Sequence, residues 1–178
     1  MTDRTPAVRV VPVDETNWQL YRGVRLDALR DAPRAFWTTY AEAAARPDRE
    51  WVGMVNQPAS RSRTWMALQG ERAVGSVGVF RLPEQPEDEC VLVGLWVHPS
   101  ARGLGIAELL VGAVLAAARE QGRRRLLLEV AHENERAAAL YRRIGFRPTG
   151  RTGAMPHDPS ITEFEMELDL SDLAAGSG

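Results

Sequence analysis

The feature that most constrains this chain is the stretch 95–108, where an apolar segment passes through a glycine-bearing turn directly into a helical pattern. Backbone amides at such a turn and in the first helical turn lack intrahelical acceptors, and the helix dipole places partial positive charge beside them. A backbone of this kind binds anions, a pyrophosphate in particular. Because Gly103 and Gly105 carry no side chain, phosphate oxygens can approach the backbone closely.

Two other kinds of phosphate-binding loop fit this turn less well. A dinucleotide fingerprint is the strongest rival, since Gly103 and Gly105 follow an apolar segment and the acidic Glu129 ends the next one. Its third glycine position is occupied by Glu108, whose carboxylate and bulk suit neither helix packing nor a diphosphate. A Walker-type loop is excluded because the chain contains no lysine. A purely structural turn is the remaining alternative.

A second motif begins with Glu129 at the end of an apolar segment and continues through Asn134 into an alanine-rich helical pattern closed by Gly145 and Phe146. Asn134 can cap this helix, a role that needs no ligand. Tyr141 follows two helical turns later, and about 700° of rotation returns it to nearly the same face as Asn134. The spacing therefore predicts one helix face that carries both side chains.

Together the two motifs resemble those of the GCN5-related N-acetyltransferases. The acetyl-CoA signature of that family, Arg/Gln-x-x-Gly-x-Gly/Ala, is matched by Arg102, Gly105 and Ala107. The resemblance covers residues 90–147 and extends to the N-terminal part through the pattern at 25–36. It implies an acetyl-CoA-dependent N-acetyltransferase that works by direct transfer in a ternary complex, with acetyl-CoA as co-substrate.

The resemblance also implies a set of cofactor-binding residues. Backbone amides of the strand at 95–97 would orient the acyl carbonyl and stabilise the developing oxyanion. The full expected set is Leu95, Trp96, Val97, Arg102, Gly103, Leu104, Gly105, Ile106, Ala107, Glu108, Asn134, Ala137 and Tyr141.

Glu129 and Tyr141 are the candidate catalytic residues. A lone carboxylate in an apolar strand is costly unless it is paired or functional, so Glu129 either pairs with an arginine from 123–125 or Arg136, or draws a proton from the amine. Family members that share Glu-Val-x-x-x-Asn use a carboxylate at the matching position as base. Tyr141 is either a packed core aromatic or the donor of a proton to the departing thiolate. His132 is a solvated loop residue or a base.

The acceptor is expected on the opposite side of the thioester from the cofactor. Trp37 and Tyr40 lie where the family places its acceptor-side helices, although core packing explains them equally well. His157 belongs to a loop whose neighbouring carboxylate could hold a cationic amine. We expect a primary amine on a small molecule as acceptor, a peptide N-terminus as second choice, and a non-catalytic acyl-CoA-binding module as the alternative from another class.

Composition and charge limit the kinds of partner that this protein can bind. A formal net charge of −2 argues against a nucleic-acid surface. The single cysteine, Cys90, excludes an internal disulfide, and His98, His132 and His157 have no metal-ligand spacing, so no metal is expected. Residues 1–6 lack a signal-peptide core and no run approaches a membrane span, so we expect no membrane partner and a cytoplasmic location, with a homodimer as an option.

The fold class predicted is α/β (α+β). With 178 residues and 44% hydrophobic content, we expect one N-acetyltransferase domain over 1–172 and a frayed tail over 173–178. The resemblance implies a mixed, mostly antiparallel sheet of about six to seven strands flanked by helices, with one parallel β-α-β unit at the cofactor site. Strands are predicted at 7–13, 64–69, 73–82, 90–97, 123–130, 146–151 and 161–170, and helices at 14–30, 36–56 with a break near Pro47, 106–122 and 134–144.

Overall fold

A computed structural model describes residues 7–171, so the predicted tail at 173–178 lies outside the described residues. Seven strands form a single sheet in the order β1-β2-β3-β4-β5-β7-β6. The strands are β1 (Val8–Pro12), β2 (Ser62–Gln69), β3 (Arg72–Phe80), β4 (Glu89–Val97), β5 (Arg125–Ala131), β6 (Arg147–Met155) and β7 (Asp158–Asp169). The helices are α1 (Trp18–Asp31), α2 (Tyr40–Ala44), α3 (Asp48–Val55), α4 (Ile106–Glu120) and α5 (Glu135–Ile144), and a short 3-10 turn spans Pro99–Ala101.

The sheet is antiparallel except for one pair of strands, as predicted. β4 and β5 run parallel because α4 connects them, whereas all other neighbours in the sheet are antiparallel. The parallel ladder covers three residue pairs, from Glu89 with Arg125 to Val91 with Leu127. Beyond Val91 the two strands are unpaired, so the sheet is open between the later part of β4 and the later part of β5.

Gly94 creates a bulge in β4. Its φ of +63° lies in the left-handed region that favours glycine, and the pairing with β3 shifts register between Ser76 and Gly78. Because one extra residue reverses the alternation, Leu92 and Val97 belong to one core cluster while Trp96 belongs to the other. A glycine inside an apolar strand is a common place for such a bulge.

Helices cover both faces of the sheet. α1, α2 and α3 pack over β2 and the end of β4, where Trp51, Met66 and Trp96 share one core cluster. α4 and α5 pack on the opposite face, in a second cluster with β3, β4 and β5. No helix in the described part of the chain is long and apolar enough to cross a membrane.

The buried face of α4 is an apolar stripe, and one leucine lies outside it. Ile106, Leu110 and Val114 are buried, but Leu109 is 51% exposed. At 100° per residue, Leu109 lies about 100° from the centre of the stripe, which turns its side chain out of the core.

Several helices begin at residues other than those predicted, because local hydrogen bonds hold turns or caps before them. α1 begins at Trp18 rather than near Asp14, because the Asp14 carboxylate accepts a hydrogen bond from the Thr16 amide at 2.8 Å and holds a turn there. The next helix begins at Tyr40 rather than residue 36, after a capping box in which Thr39 bonds with Glu42. The predicted break near Pro47 separates α2 from α3.

The C-terminal hairpin is longer than predicted. β6 extends to Met155 and β7 begins at Asp158, because the two strands pair almost to the turn. β6 is an edge strand with mostly exposed side chains, so its sequence lacks the apolar alternation by which a strand is recognised.

Candidate active site

A cleft of about 640 Å³ lies between the end of β4, the turn at 101–105 and the helices α4 and α5. Twelve of the expected cofactor residues line it, namely Leu95, Trp96, Val97, Arg102, Gly103, Gly105, Ile106, Ala107, Glu108, Asn134, Ala137 and Tyr141. Leu104 is the exception: its side chain is 55% exposed and does not line the cleft. The two sequence motifs therefore meet in one cavity.

The glycine turn has the backbone that an anion site needs. Gly103 and Gly105 have φ values of +79° and +73°, which an L side chain rarely adopts, and no protein atom lies within 4 Å of where a Cβ would stand. Gly105 is the N-cap of α4, and no side chain caps that helix. Its first amides are thus free to receive a phosphate.

Arg102 lines the cleft but its charge is paired within the protein. Its Nε donates to the Val97 carbonyl at 3.0 Å, and its guanidinium forms an ion pair with Asp31 at the end of α1. Trp96 Nε1 donates to the same carboxylate at 2.9 Å. This hydrogen bond and the Arg102 guanidinium hold the pKa of Asp31 below its usual range. Arg102 therefore fixes the glycine turn against β4 and α1.

Two further side chains shape the mouth of the cleft. The Glu108 carboxylate, in the first turn of α4, accepts a hydrogen bond from the Arg143 guanidinium of α5 at 3.1 Å. Asn134 Oδ1 accepts from the Ala137 amide at 3.2 Å and caps α5 while it also lines the cleft. The capping role of Asn134 is confirmed, and its contact with a cofactor stays a prediction.

Tyr141 lies on the cleft side of α5 and is 7% exposed. Its ring meets Phe146 edge-on, with centroids 5.6 Å apart. The hydroxyl has no hydrogen-bond partner among the described residues. Burial raises the pKa of Tyr141 above its usual value, so the phenol stays protonated at neutral pH and its hydroxyl is available as a donor.

Glu129 faces away from this cleft. Its neighbours Leu128 and Val130 point into the core shared with α4, so Glu129 projects from the opposite face of β5. The predicted arginine partner is absent within residues 7–171: Arg125 pairs with Glu89 and Glu167 instead. Of the two alternatives for Glu129, the structural ion pair with Arg125 is therefore not formed, because that arginine, four residues earlier in β5, is already engaged.

Glu129 belongs to a cluster of three carboxylates with Glu163 and Glu165 of β7, named here the carboxylate cluster. In the β5–β7 ladder Glu129 lies directly opposite Glu165. Partial burial, a hydrogen bond with Glu163 and the charges of Glu163 and Glu165 raise the pKa of Glu129 to about 7. A carboxylate with this pKa can accept a proton near neutral pH.

Glu163 is the site residue that sequence reasoning missed. It is a buried charged residue, 3% exposed, and its carboxylate accepts a hydrogen bond from Trp37 Nε1 at 2.8 Å. The signal was the glutamate at every second position of β7, at 163, 165 and 167, which places three carboxylates on one face of the sheet.

The three residues expected at the acceptor side have different surroundings. Trp37 is 53% exposed beside the carboxylate cluster. Tyr40 accepts a hydrogen bond from Arg30, whose guanidinium stacks 4.4 Å from the ring centroid. His157 Nε2 lies 2.6 Å from the Phe36 carbonyl oxygen, so this side chain holds the segment before α2 against the β6–β7 turn. Of the three, Trp37 is the one that contacts the carboxylate cluster.

Two other side chains considered for chemistry are occupied elsewhere. His132 packs edge-on against Phe164, with centroids 5.7 Å apart. Cys90 is buried in β4, and burial raises the pKa of its thiol to about 11. A thiol that remains protonated in the core is a poor nucleophile.

Comparisons with known proteins agree on one family. The model of the Acetyltransferase (GNAT) family matches residues 26–146. Human N-acetyltransferase 8B is 34% identical over 118 residues, which are 65% of this chain and 52% of that protein. The N-acetyltransferase YdgE of Bacillus subtilis is 28% identical over 141 residues, 76% of this chain and 88% of its own length. The chain spans about half the length of the mammalian relatives it matches.

Solved structures share the fold. YncA of Salmonella typhimurium, whose structure contains its cofactor acetyl-CoA, superposes with a TM-score of 0.75 at 14% identity and covers 97% of this chain and 99% of its own. A GCN5-related N-acetyltransferase from Kribbella flavida gives a TM-score of 0.73 at 19% identity, over 92% of this chain and 98% of its own.

Proposed function

The chain belongs to the acetyltransferase (GNAT) family, and from that premise we propose that it transfers the acetyl group of acetyl-CoA to a primary amine on a small molecule. One observation carries the proposal. The cleft with Tyr141 and the carboxylate cluster with Glu129 lie on opposite faces of the sheet, beside the opening between β4 and β5. An amine and a thioester that approach from opposite faces could meet there.

Acetyl-CoA is the co-substrate whose binding the cleft supports. Its pyrophosphate would lie on the amides of the turn at 103–106, which no side chain caps. Its acyl end would lie along 95–97, where β4 has no β5 partner to occupy its backbone groups. These amides would stabilise the negative charge that develops on the carbonyl oxygen.

The reaction is a direct displacement. The amine nitrogen forms a bond to the acetyl carbon, and the bond from that carbon to sulfur breaks. Glu129 takes the proton that the amine loses, directly or through water, and Tyr141 gives its proton to the departing thiolate. Both groups are available in the form that these roles need, since about half of the Glu129 carboxyl is ionised at pH 7 and the phenol of Tyr141 is protonated. No acyl-enzyme is involved, because the single cysteine is buried and protonated.

A peptide N-terminus is the second candidate acceptor. The carboxylate cluster lies on a part of the sheet where Glu129 is exposed, so a longer acceptor could reach it.

A non-catalytic acyl-CoA-binding module is the alternative from another class. We propose the cytoplasm as the compartment, a reducing environment that suits the free thiol of Cys90.

An acceptor screen tests the proposal. The protein is mixed with acetyl-CoA and a panel of primary amines and short peptides, and the release of free CoA thiol is followed. We expect release that depends on the amine and yields an N-acetylated product by mass spectrometry. Tight acetyl-CoA binding without thiol release from any acceptor would favour the non-catalytic module.

A further inference from the structure

A second cavity, of about 590 Å³, lies on the face of the sheet that carries α1 and α3. Its walls include Arg25 of α1, Arg46 before α3, and the bulge residue Gly94 of β4. Ser76 of β3 adds a buried hydroxyl. Neither the cofactor turn nor the two candidate catalytic residues line this cavity.

Arg25 is a half-buried cation without a carboxylate partner in the described part of the chain. Its guanidinium stacks on Phe36, 4.6 Å from the ring centroid, and its Nη1 lies 3.4 Å from where a Cβ on Gly94 would stand. Burial, together with the positive charge of Arg46, lowers the pKa of Arg25 below its usual range. A buried charge is costly unless a counter-ion joins it.

Arg46 adds a second positive charge to the same cavity. Its Nη1 lies 3.5 Å from the Met54 sulfur and its guanidinium is 5.9 Å from the Trp51 centroid. Glu50, the acidic residue in the cavity wall, forms no ion pair with either arginine within residues 7–171. The cavity therefore presents two guanidinium groups, neither of which forms an ion pair within residues 7–171.

The cavity adjoins the candidate active site. Gly94 lines the cavity and the next residue, Leu95, lines the cofactor cleft. Three consecutive residues connect the two sites. Phe36, under the Arg25 guanidinium, lines the cleft, and Thr38 lines the cavity. Trp37 lies between them in the sequence and contacts the carboxylate cluster. An acceptor at the opening of the sheet would thus have carboxylates on one side and guanidinium groups on the other.

We propose that Arg25 and Arg46 bind a carboxylate of the acceptor, so that the acceptor is an amino acid or a similar molecule with both an ammonium and a carboxylate. The inference rests on the proposed function and specifies its substrate class. Arg is suited to this role because its planar guanidinium matches a carboxylate with paired hydrogen bonds. The carboxylate supplies the ion-pair partner that Arg25 lacks among the described residues.

Matched acceptors test the proposal without any mutation. L-Phenylalanine, L-leucine and L-methionine are each compared with the amine that lacks only the carboxylate and with the corresponding amino acid amide, with acetyl-CoA fixed. A charge-assisted contact of this kind predicts a KM at least about tenfold lower for the best amino acid than for its amine and its amide. Equal or better use of the amines across the panel would overturn the proposal.

Variants then assign the effect to the cavity. Arg25→Met and, separately, Arg46→Met should raise the KM for that amino acid about tenfold while the KM for its matched amine stays the same. Arg22→Met is the control, because Arg22 lies on the same helix but pairs with Asp48 at 3.5 Å and does not line the cavity. A rise of equal size for both acceptors would contradict a carboxylate contact. Circular dichroism identifies a variant that fails to fold.

A binding measurement separates this inference from the proposed function. Calorimetry of each acceptor with the protein saturated with CoA needs no turnover. If no acceptor releases thiol, the proposed function is wrong, yet tighter binding of the amino acid than of its amine would still support the carboxylate site. If thiol is released but the pairs bind alike, the substrate class is wrong and the transferase stands.

Discussion

The hydroxyl of Tyr141 is a single group whose loss tests the acid step. Tyr141→Phe keeps the ring against Phe146, so packing is preserved and only the proton donor is removed. We expect kcat to fall by about 100-fold, while acetyl-CoA affinity is unchanged. Steady-state kinetics with a defined acceptor, together with calorimetry of acetyl-CoA binding, measure both. A comparable loss of cofactor affinity would instead indicate that the hydroxyl binds the cofactor and does not act as the acid.

Glu129 gives a pH-dependent prediction. Its pKa of about 7 means that the carboxylate becomes the main form as pH rises through 7, so the wild-type rate should rise across that range. Glu129→Gln should lose this rise and depress the rate most near neutral pH. The loss should shrink at high pH, where more of the amine is already deprotonated. The exposed Glu120→Gln on α4 is the matched control for removal of one negative charge.

The shape of that profile separates two roles of Glu129. Loss of a base changes how the rate depends on pH. Loss of a carboxylate that only positions the substrate lowers the rate by the same factor at every pH. A Glu129→Gln profile that is lower by the same factor at every pH would exclude the base.

Trp37 joins the acceptor side to the carboxylate cluster through its hydrogen bond with Glu163. Trp37→Ala should raise the KM of the acceptor and leave acetyl-CoA affinity unchanged, because the side chain does not line the cofactor cleft. Trp37→Phe, which keeps an aromatic ring but loses the donor, shows how much of the effect belongs to the Glu163 hydrogen bond. Weaker binding of both the acceptor and acetyl-CoA, together with a lower melting temperature, would indicate that Trp37 has a packing role.

The residues that sequence reasoning found are those whose partners are near in sequence. The glycine turn is read from Gly103 and Gly105, and the shared face of Asn134 and Tyr141 follows from helical spacing. Glu163 was missed because its neighbour Trp37 is 126 residues away. No local pattern reports such a pairing, since it depends on how the segment after α1 crosses the sheet.

At the scale of elements, the turn before α4 carries the most specific prediction. Gly105→Val should weaken acetyl-CoA binding by at least about tenfold and destabilise the fold by about 1–3 kcal/mol, because φ at this position is +73°. The control is Gly112→Ala, in the exposed middle of the same helix with open space for a Cβ. It should stabilise the protein by about 0.5–1 kcal/mol. Calorimetry measures the acetyl-CoA affinity of both variants, and thermal melts measure their stability. A Gly105→Val variant with normal acetyl-CoA affinity would show that the pyrophosphate binds elsewhere.

Elements were predicted best where one face is buried and the other is not. α4 and α5 have clear apolar faces, and their predicted ends were close to those observed. β6 was predicted too short, because an edge strand with exposed side chains on both faces has no alternation to detect. The start of α1 was predicted too early because Asp14, a good capping residue, instead closes a separate turn.

At the scale of the whole molecule, the cofactor cleft joins parts of the chain that are far apart. Ala32 and Phe36 lie on one side, and Gly105 and Leu140 on the other. A ligand that contacts both sides should stabilise the native state, by about 2.7 kcal/mol when its concentration is 100 times its Kd. Acetyl-CoA should therefore raise the melting temperature more than NAD or ATP does. A larger rise with NAD would instead favour the dinucleotide interpretation of the turn.

The short parallel ladder between β4 and β5 also has a mechanical consequence. The strands β1 to β4 form one plate and β5 to β7 another, and the strand ladder between the plates has only three residue pairs, from Glu89 with Arg125 to Val91 with Leu127. A sheet bends most easily where it has the fewest transverse bonds, so this seam is its natural line of flexure. Beyond Val91 the backbone groups that β4 and β5 turn toward each other have no strand partner, while the hydrogen bonds within each plate do not depend on this seam.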